Sequence, residues 1–497
     1  MGYAEGSLSG NCLRGFGDRV YNQCQAEHLE SQGVPVSIGP APEFISTRRL
    51  TYEEAIGILF HDARFDGRAP RSKDPESRLE RMRAVLAALD NPQDRFRTVH
   101  VTGTKGKGST SAYTESILRH LGYGTGLFTS PHLYTFRERM RVDGQLISQE
   151  KCAELIQRAL PYLEATPDLT VFGRITVIAF LFFAEAGVDW AVVEVGIGGR
   201  LDSTNVVLPE VCGITHISKD HMHILGDSLE EIAAEKAGII KQETPVFSAP
   251  QKQRAEEVLR QVADDREASL SEVQVYRRAE LPLVGGHQQI NAGIAYEMVR
   301  ELHRAGLVRW DDQLVDNGLV QTRWPCRIEW LPQPASGGIP LVVDCAHNRD
   351  SLEILLSTLA AAHAGRPFTF VFGVNSDKDI APMLTLAMAA SPRIVLVQSR
   401  HPKALPVPDL RAAIGSLPAD EGQTVAAAPS MKAAIEIAQD ITPSGGYIVG
   451  TGSVFVAAEV RERWNELHPG LFPADDWIHE ANTDPPLAPL PPAYGTI

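Results

Sequence analysis

The chain has 497 residues, enough for two or three ordinary domains, and its 43% hydrophobic and 22% charged residues suit globular cores with solvated surfaces. A net charge of −15 argues against general affinity for nucleic acid or anionic membrane, so any basic site must be local and serve a small anion. The six cysteines (Cys12, Cys24, Cys152, Cys212, Cys326 and Cys345) form no Cys-x-x-Cys pair or dense framework, which fits a reducing cytoplasm.

No basic stretch followed by an apolar core opens the chain, and the longest apolar run, Ile175 to Ala184, is far below the ~20 residues a bilayer needs. Neither an export signal nor a membrane span is expected. Residues 1–47 have little apolar periodicity and are expected as a poorly ordered extension. From residue 48 onward, short β-branched runs alternate with longer amphipathic stretches, the rhythm of βαβ units and a parallel sheet.

A strand is expected at Thr98–Val101, followed by the turn Thr102-Gly-Thr-Lys-Gly-Lys-Gly-Ser-Thr110 and a helix to about His120. A glycine-rich turn that ends a strand and opens a helix lets backbone N–H groups, the helix N-terminus and Lys107 converge on phosphates, with Ser109 or Thr110 in reach of magnesium. Its spacing is shorter than the strict P-loop pattern, and a merely flexible turn is the plain alternative. A second strand, Trp190–Val195, carries Glu194 at its end, suited to a hard cation or to a salt bridge with Arg200. The third, Val211–Ile217, runs into Lys219-Asp-His221; His221 is a weaker magnesium candidate, since that ion prefers oxygen, and a surface histidine is the alternative. Ser228-Leu-Glu-Glu231 has capping-box spacing and opens a helix through Lys236.

A second alternation follows, with strands at Pro340–Asp344, Phe368–Gly373, Arg393–Val397 and Tyr447–Gly450. Ser336-Gly-Gly allows a linker or hairpin just before it. The fold class read from this pattern is α/β: a P-loop-type parallel-sheet ATPase domain over residues 48–327, then a smaller Rossmann-like doubly wound domain over 328–468. Residues 469–497 end in a proline-rich stretch and are expected as an appended tail.

The motifs Thr102-Gly-Thr-Lys-Gly-Lys-Gly-Ser109, Thr129-Ser-Pro-His-Leu133, Glu138-Arg-Met140, Glu194-Val-Gly-Ile-Gly-Gly-Arg-Leu-Asp202, Asp220-His221, Glu235-Lys-Ala-Gly-Ile239, His287-Gln288 with Asn291, Trp324-Pro325 with Arg327, Asp344 with His347-Asn348, and Asp377-Lys-Asp379 resemble, in order and spacing, the folylpolyglutamate synthase and dihydrofolate synthase family of the Mur ligase superfamily. The likeness runs from about residue 50 to about 460. It implies a ligase that spends ATP to join L-glutamate to the carboxylate of folate or, in some members, of dihydropteroate. It further implies two magnesium ions held by Ser109, Glu194 and His221, ATP phosphates on Gly103, Thr104, Gly106, Lys107, Gly108, Ser109 and Thr110, and Lys236 as a carbamylated lysine. Gln288 and Asn291 would meet adenine and Arg327 the phosphates. Asp344 and His347 would serve the nucleotide and the incoming amino acid. Thr129, Ser130, Pro131 and His132 would line the pterin side.

The chain departs from the family at Phe172-Gly173, where a Phe-Glu pair is frequent, and at Cys326 and Cys345, which stand where the family has glycine. Two rivals remain at this point. A cell-wall ligase of the superfamily usually carries a nucleotide-sugar domain before its phosphate loop, and a non-catalytic nucleotide-binding protein should have lost Glu194, His221 or Lys236. A monomer is expected, with folate and glutamate as its small-molecule partners.

Overall fold

The structure is a computed structural model that describes residues 48–61, 77–416, 422–481 and 483–484; the expected extension at 1–47 and the prolines from 485 onward lie outside them. Two sheets organise these residues. In the first, the strands are β1 (Arg97–Thr102), β2 (Thr125–Phe128), β3 (Met140–Val142), β4 (Gln145–Leu146), β5 (Trp190–Glu194), β6 (Val211–Ile214), β7 (Val246–Ser248) and β8 (Leu270–Glu272). Their spatial order is β4-β3-β2-β5-β1-β6-β7-β8, parallel except for the antiparallel edge formed by β3 and β4. The second sheet holds β9 (Glu329–Trp330), β10 (Leu341–Val343), β11 (Phe368–Phe372), β12 (Arg393–Leu396), β13 (Thr424–Ala427) and β14 (Tyr447–Thr451) in the order β13-β12-β11-β14-β10-β9. Only β9 in this sheet runs antiparallel, paired with β10 across the loop that contains Ser336-Gly-Gly, so that segment is a hairpin connection.

The central strands show why the sequence folds this way. All five residues of β5 and the last five of β1 are buried, as expected for strands covered by helices on both faces. One face packs the helices Lys107–His120, Gly286–Arg304 and Asp312–Val320 through Tyr113, Ile117, Met298, Leu302 and Leu319; the other packs Leu229–Ala237 and Gln253–Asp265 through Ile232, Ala255 and Leu259. Each leucine, isoleucine and methionine among them contributes roughly 1.5–3 kcal/mol of burial. The Ser228 capping box forms as its spacing predicts, Ser228 Oγ accepting from Glu231 N and Glu231 accepting from Ser228 N. The apolar run at 175–184 lies in the buried helix Val171–Ala186, and no helix among the described residues is long and apolar enough to cross a membrane.

One expectation is corrected. Residues 469–481 and 483–484, read as the start of an appended tail, lie against the body. Phe472 and Ile478 are buried in the core of the second sheet, and Asp476 pairs with the buried Arg461 at 2.6 Å. The prolines that motivated the tail begin after Asp484, whereas Leu471, Phe472, Trp477 and Ile478 ahead of them supply apolar anchors.

Candidate functional site

The carboxyl ends of β5, β1 and β6 are neighbours in the sheet, and each passes into a residue group singled out in the sequence. In open parallel sheets this edge is where ligands collect. After β1, Gly103 has φ +143° and Gly106 φ +96°, backbone that L side chains rarely adopt. Space confirms the need: a Cβ on Gly103 would sit 1.8 Å from Thr215 Oγ1, and one on Gly106 2.4 Å from Asn291 Oδ1. The loop is held from beneath by Thr104 N donating to His216 O at 2.9 Å and Thr104 Oγ1 donating to Ser218 O at 3.0 Å. Its helix begins at Lys107, so the helix N-terminus and the Lys107 ammonium share one end, a disposition able to receive phosphate oxygens.

Glu194, 3% exposed, closes β5, and its carboxylate accepts from Ser130 N at 3.1 Å. Burial raises its pKa, against the nearby charges of Lys107, Arg327 and Arg139. The alternative of a salt bridge with Arg200 falls, because Arg200 pairs with Glu235 at 2.8 Å. His221 caps the start of Met222–Leu225 with φ +50° and is partly exposed; burial, aided by Lys378, Lys107 and Lys236 and opposed by Asp220, leaves its pKa below the usual imidazole value, so the ring is unprotonated at neutral pH. Ser109 and Thr110 are buried at 2% and 0%, and Thr110 Oγ1 has no hydrogen-bond partner. Hydroxyls, a carboxylate and a neutral imidazole at one sheet edge, with an unpartnered buried hydroxyl among them, suit a divalent cation that arrives with nucleotide phosphates.

Lys236 is 3% exposed and donates to Gly103 O at 2.9 Å, beneath the phosphate loop. Burial, then repulsion from Lys107, pulls its pKa down to about 7. Because Lys107 also acts electrostatically on Glu194 and His221, these four residues occupy one region.

From the second sheet, Asp344 follows β10 and accepts from Ile328 N at 3.0 Å and Ala346 N at 2.8 Å; burial raises its pKa, while Arg327 opposes this. Arg327 stays charged despite its burial, because Cys345 and Asp344 lie beside it. His347 Nδ1 bonds Cys345 O at 2.9 Å, and burial together with Lys105 lowers its pKa to about 3, leaving a neutral imidazole. Gln288 and Asn291, both buried, hydrogen-bond each other at 3.0 Å on the helix that overhangs Gly106. On the other flank, Thr129 is buried and Ser130 and Pro131 begin a loop whose His132 accepts from Arg139 Nε at 2.9 Å; Phe172 packs on Phe128 and against Gly196.

Sequence reasoning gave no role to Asp220. Its carboxylate pairs with Lys105 at 3.0 Å and accepts from Asn348 Nδ2 at 3.2 Å, tying the phosphate loop to the second sheet. Burial works to raise its pKa, yet Lys105, His221 and His347 hold it well below the usual carboxylate range. Asp220→Ala leaves the half-buried Lys105 ammonium unpaired and is expected to cost about 2 kcal/mol, whereas Asn348→Ala should cost about 1. Urea unfolding checks the ranking; equal costs would contradict a charge pair at the centre of this tie. Only its adjacency to His221 could have pointed to Asp220, since its partners lie 115 and 128 residues away.

Cys326, where the family has glycine, adopts φ +60° and is fully buried. Relief of the left-handed penalty, about 1 kcal/mol, nearly offsets the loss of the packed thiol, so Cys326→Gly should change stability by less than about 1 kcal/mol. Cys326→Ala keeps the strain, loses the sulfur and should be the less stable variant in the same unfolding assay.

Fold and sequence together define the class, a Mur ligase: residues 101–252 match the Mur ligase middle domain and residues 326–454 the Mur ligase glutamate ligase domain. A dihydrofolate synthase/folylpolyglutamate synthase of Bacillus subtilis (strain 168) is 32% identical over 416 residues, covering 78% of this chain and 94% of that protein. A folylpolyglutamate synthase of Arabidopsis thaliana is 43% identical over 344 residues, 63% of this chain and 60% of that protein. The solved structure of Mycobacterium tuberculosis folylpolyglutamate synthase complexed with ADP superposes with a TM-score of 0.70 at 30% identity, covering 78% of this chain and 94% of that one. The chain therefore belongs to the dihydrofolate synthase/folylpolyglutamate synthase family.

Proposed function

We propose that this protein is an ATP-dependent ligase that forms an amide between the carboxylate of a folate acceptor and the amine of L-glutamate. The observation that carries this reading is the phosphate loop, with Lys107, Glu194, His221 and Lys236 gathered at one sheet edge, where Asp344 and His347 of the second sheet face Lys105 of the loop and Asn348 bonds Asp220. Carboxylate and amine do not condense in water. ATP therefore phosphorylates the acceptor carboxylate, releasing ADP and leaving an acyl phosphate; the neutral glutamate amine attacks its carbonyl carbon, and phosphate departs.

The loop N–H groups and Lys107 neutralise charge on the transferring phosphoryl group, with Arg327 on the phosphates from the other side. Ser109, Glu194 and His221 would hold magnesium, which would supply further charge neutralisation, and a carbamate on Lys236 would serve a second ion. A lysine whose amine is half neutral near pH 7 is chemically ready for that modification. Gln288 and Asn291 receive adenine, and Thr129, Ser130, Pro131 and His132 wall the acceptor side. His347, an unprotonated imidazole, orients the incoming amino acid beside Asp344, and the proton lost by the attacking amine leaves with the departing phosphate. Because the two sheets contribute to one site, closure around the substrates excludes water from the acyl phosphate.

Incorporation of labelled glutamate with ATP, compared between tetrahydrofolate and dihydropteroate as acceptors, tests the reading. Product from tetrahydrofolate alone defines a polyglutamate synthase, and product from both a bifunctional enzyme. ATP turnover with product from neither would sink the folate assignment.

A further inference from the structure

The segment Leu471–Asp484 lies beyond residue 454, where the match to the glutamate ligase domain ends, and the mechanism above does not use it. It nevertheless spans the cleft. At one end it is built into the second sheet, with Phe472 and Ile478 buried and Asp476 held by both ends of the Arg461 guanidinium at 2.8 and 2.6 Å. At the other end it grips the stretch after β2. The Asp484 carboxylate accepts from Thr135 Oγ1 at 2.7 Å, from Phe136 N and from Tyr52 Oη at 2.8 Å, and Glu480 pairs with Arg137.

Between these anchors Trp477 meets the site itself. Its ring lies 4.2 Å from the Arg141 guanidinium carbon and edge-on to Trp324 at 5.8 Å; Arg141 also lies 4.9 Å from the Trp324 ring. Arg141 is 4% exposed, with Nε and Nη2 lacking hydrogen-bond partners; the two indoles lie against its guanidinium, and the carboxylates of Glu115, Glu138 and Glu194 act on its charge. Trp324 in turn covers the phosphate loop, where a Cβ on Gly108 would come within 2.9 Å of its ring. Trp477 lines one small cleft together with Thr129, Pro131, Leu133, Glu138, Trp324 and Arg327. Indole and aliphatic walls beside the acceptor-side loop suit the aromatic ring of a substrate, while the Glu138 carboxylate among them is already taken by the N–H groups of Leu133, Tyr134 and Thr135.

We infer that the segment 471–484 is a strap that sets the acceptor-side wall of the cleft, and that Trp477 is its positioning and specificity-determining residue. The inference rests on the proposed ligase activity for its substrate and on geometry alone for the strap. Within the loop at 129–141, Thr135, Phe136 and Arg137 are tied to the strap by Asp484 and Glu480, and Arg141 meets Trp477, beside separate anchors of Ser130 on Glu194, Arg137 on Ile147 and Tyr134 on Arg461; loosening the strap therefore frees the 135–137 part of the acceptor wall, whereas the phosphate loop keeps its own helix and its bonds to His216 and Ser218.

In the full-length enzyme, Trp477→Ala is expected to raise KM for the folate acceptor about 10-fold, with kcat and KM for ATP within about 2-fold; Trp477→Phe should recover most of the loss. Hydrogen exchange of the amides at Thr135–Arg141 should quicken about 10-fold in Trp477→Ala and in Asp484→Asn, while the amides of Val99–Thr102 stay protected. An unchanged acceptor KM, or an acceptor KM that rises together with KM for ATP without rescue by phenylalanine, overturns the specificity role. Unchanged exchange at 135–141 overturns the strap. If the wild type ligates glutamate to no folate and the variants still loosen the loop, the activity assignment fails and the strap stands.

Discussion

Lys107→Ala is expected to lower kcat for glutamate ligation about 10³-fold, the scale of losing a preorganised charge aimed at developing anionic oxygens. Lys107 opens the helix after β1, where the macrodipole already favours anions, so its ammonium adds to a site built for phosphate. It is also the cation common to Glu194, His221 and Lys236. Removing it relieves Lys236 of a repelling neighbour, so the fold should lose little stability. The expected pattern is near-total loss of turnover in an enzyme whose unfolding midpoint barely moves. A variant that keeps more than a tenth of wild-type kcat would contradict the assignment of Lys107 to the phosphates.

The second large effect concerns Lys236. Its amine pKa of about 7 leaves roughly half of it neutral at pH 7, against about one in 3,000 for an ordinary lysine. Only the neutral amine adds carbon dioxide. Lys236→Ala is therefore expected to lose about 10²- to 10³-fold in kcat, with partial recovery by small carboxylic acids able to sit beneath the loop at Gly103. Wild-type activity should fall as pH drops below 7 and as dissolved carbon dioxide is removed. The linkage has a definite sign. The unfolded chain keeps this proton up to about pH 10.5 and the folded chain releases it near 7, so the unfolded state binds more protons in between and stability rises with pH over that window. Lys236→Met should flatten that rise. Full activity in carbon-dioxide-free buffer would remove the carbamate from the account.

How much of this was legible in the chain depends on how local each signal is. The strands ending at Thr102 and Glu194 are short runs buried on both faces, and the turn after β1 needs its glycines for reasons visible at close range; hydrophobicity and spacing report both. Ser228 and Glu231 are three residues apart, so their mutual capping could be read directly. Asp220 could not be read this way, because its meaning comes from Lys105 and Asn348 on other elements. The antiparallel edge of β3 and β4 is made of strands of three and two residues, too short for any periodicity. The strap was hidden by composition. Prolines after Asp484 dominate that end of the chain, yet Trp477, Ile478 and Phe472 ahead of them decide where it packs. The glycine-to-cysteine change at Cys326 was visible from the resemblance, but its left-handed backbone needed the structure.

The most direct test of the account supplies ATP, glutamate and tetrahydrofolate whose acceptor carboxylate carries ¹⁸O, then follows the label. The account predicts one glutamyl residue added per ADP formed, with one ¹⁸O passing from the carboxylate into the released phosphate, as an acyl phosphate requires. ATP cleaved to unlabelled phosphate with no glutamylated folate would contradict it.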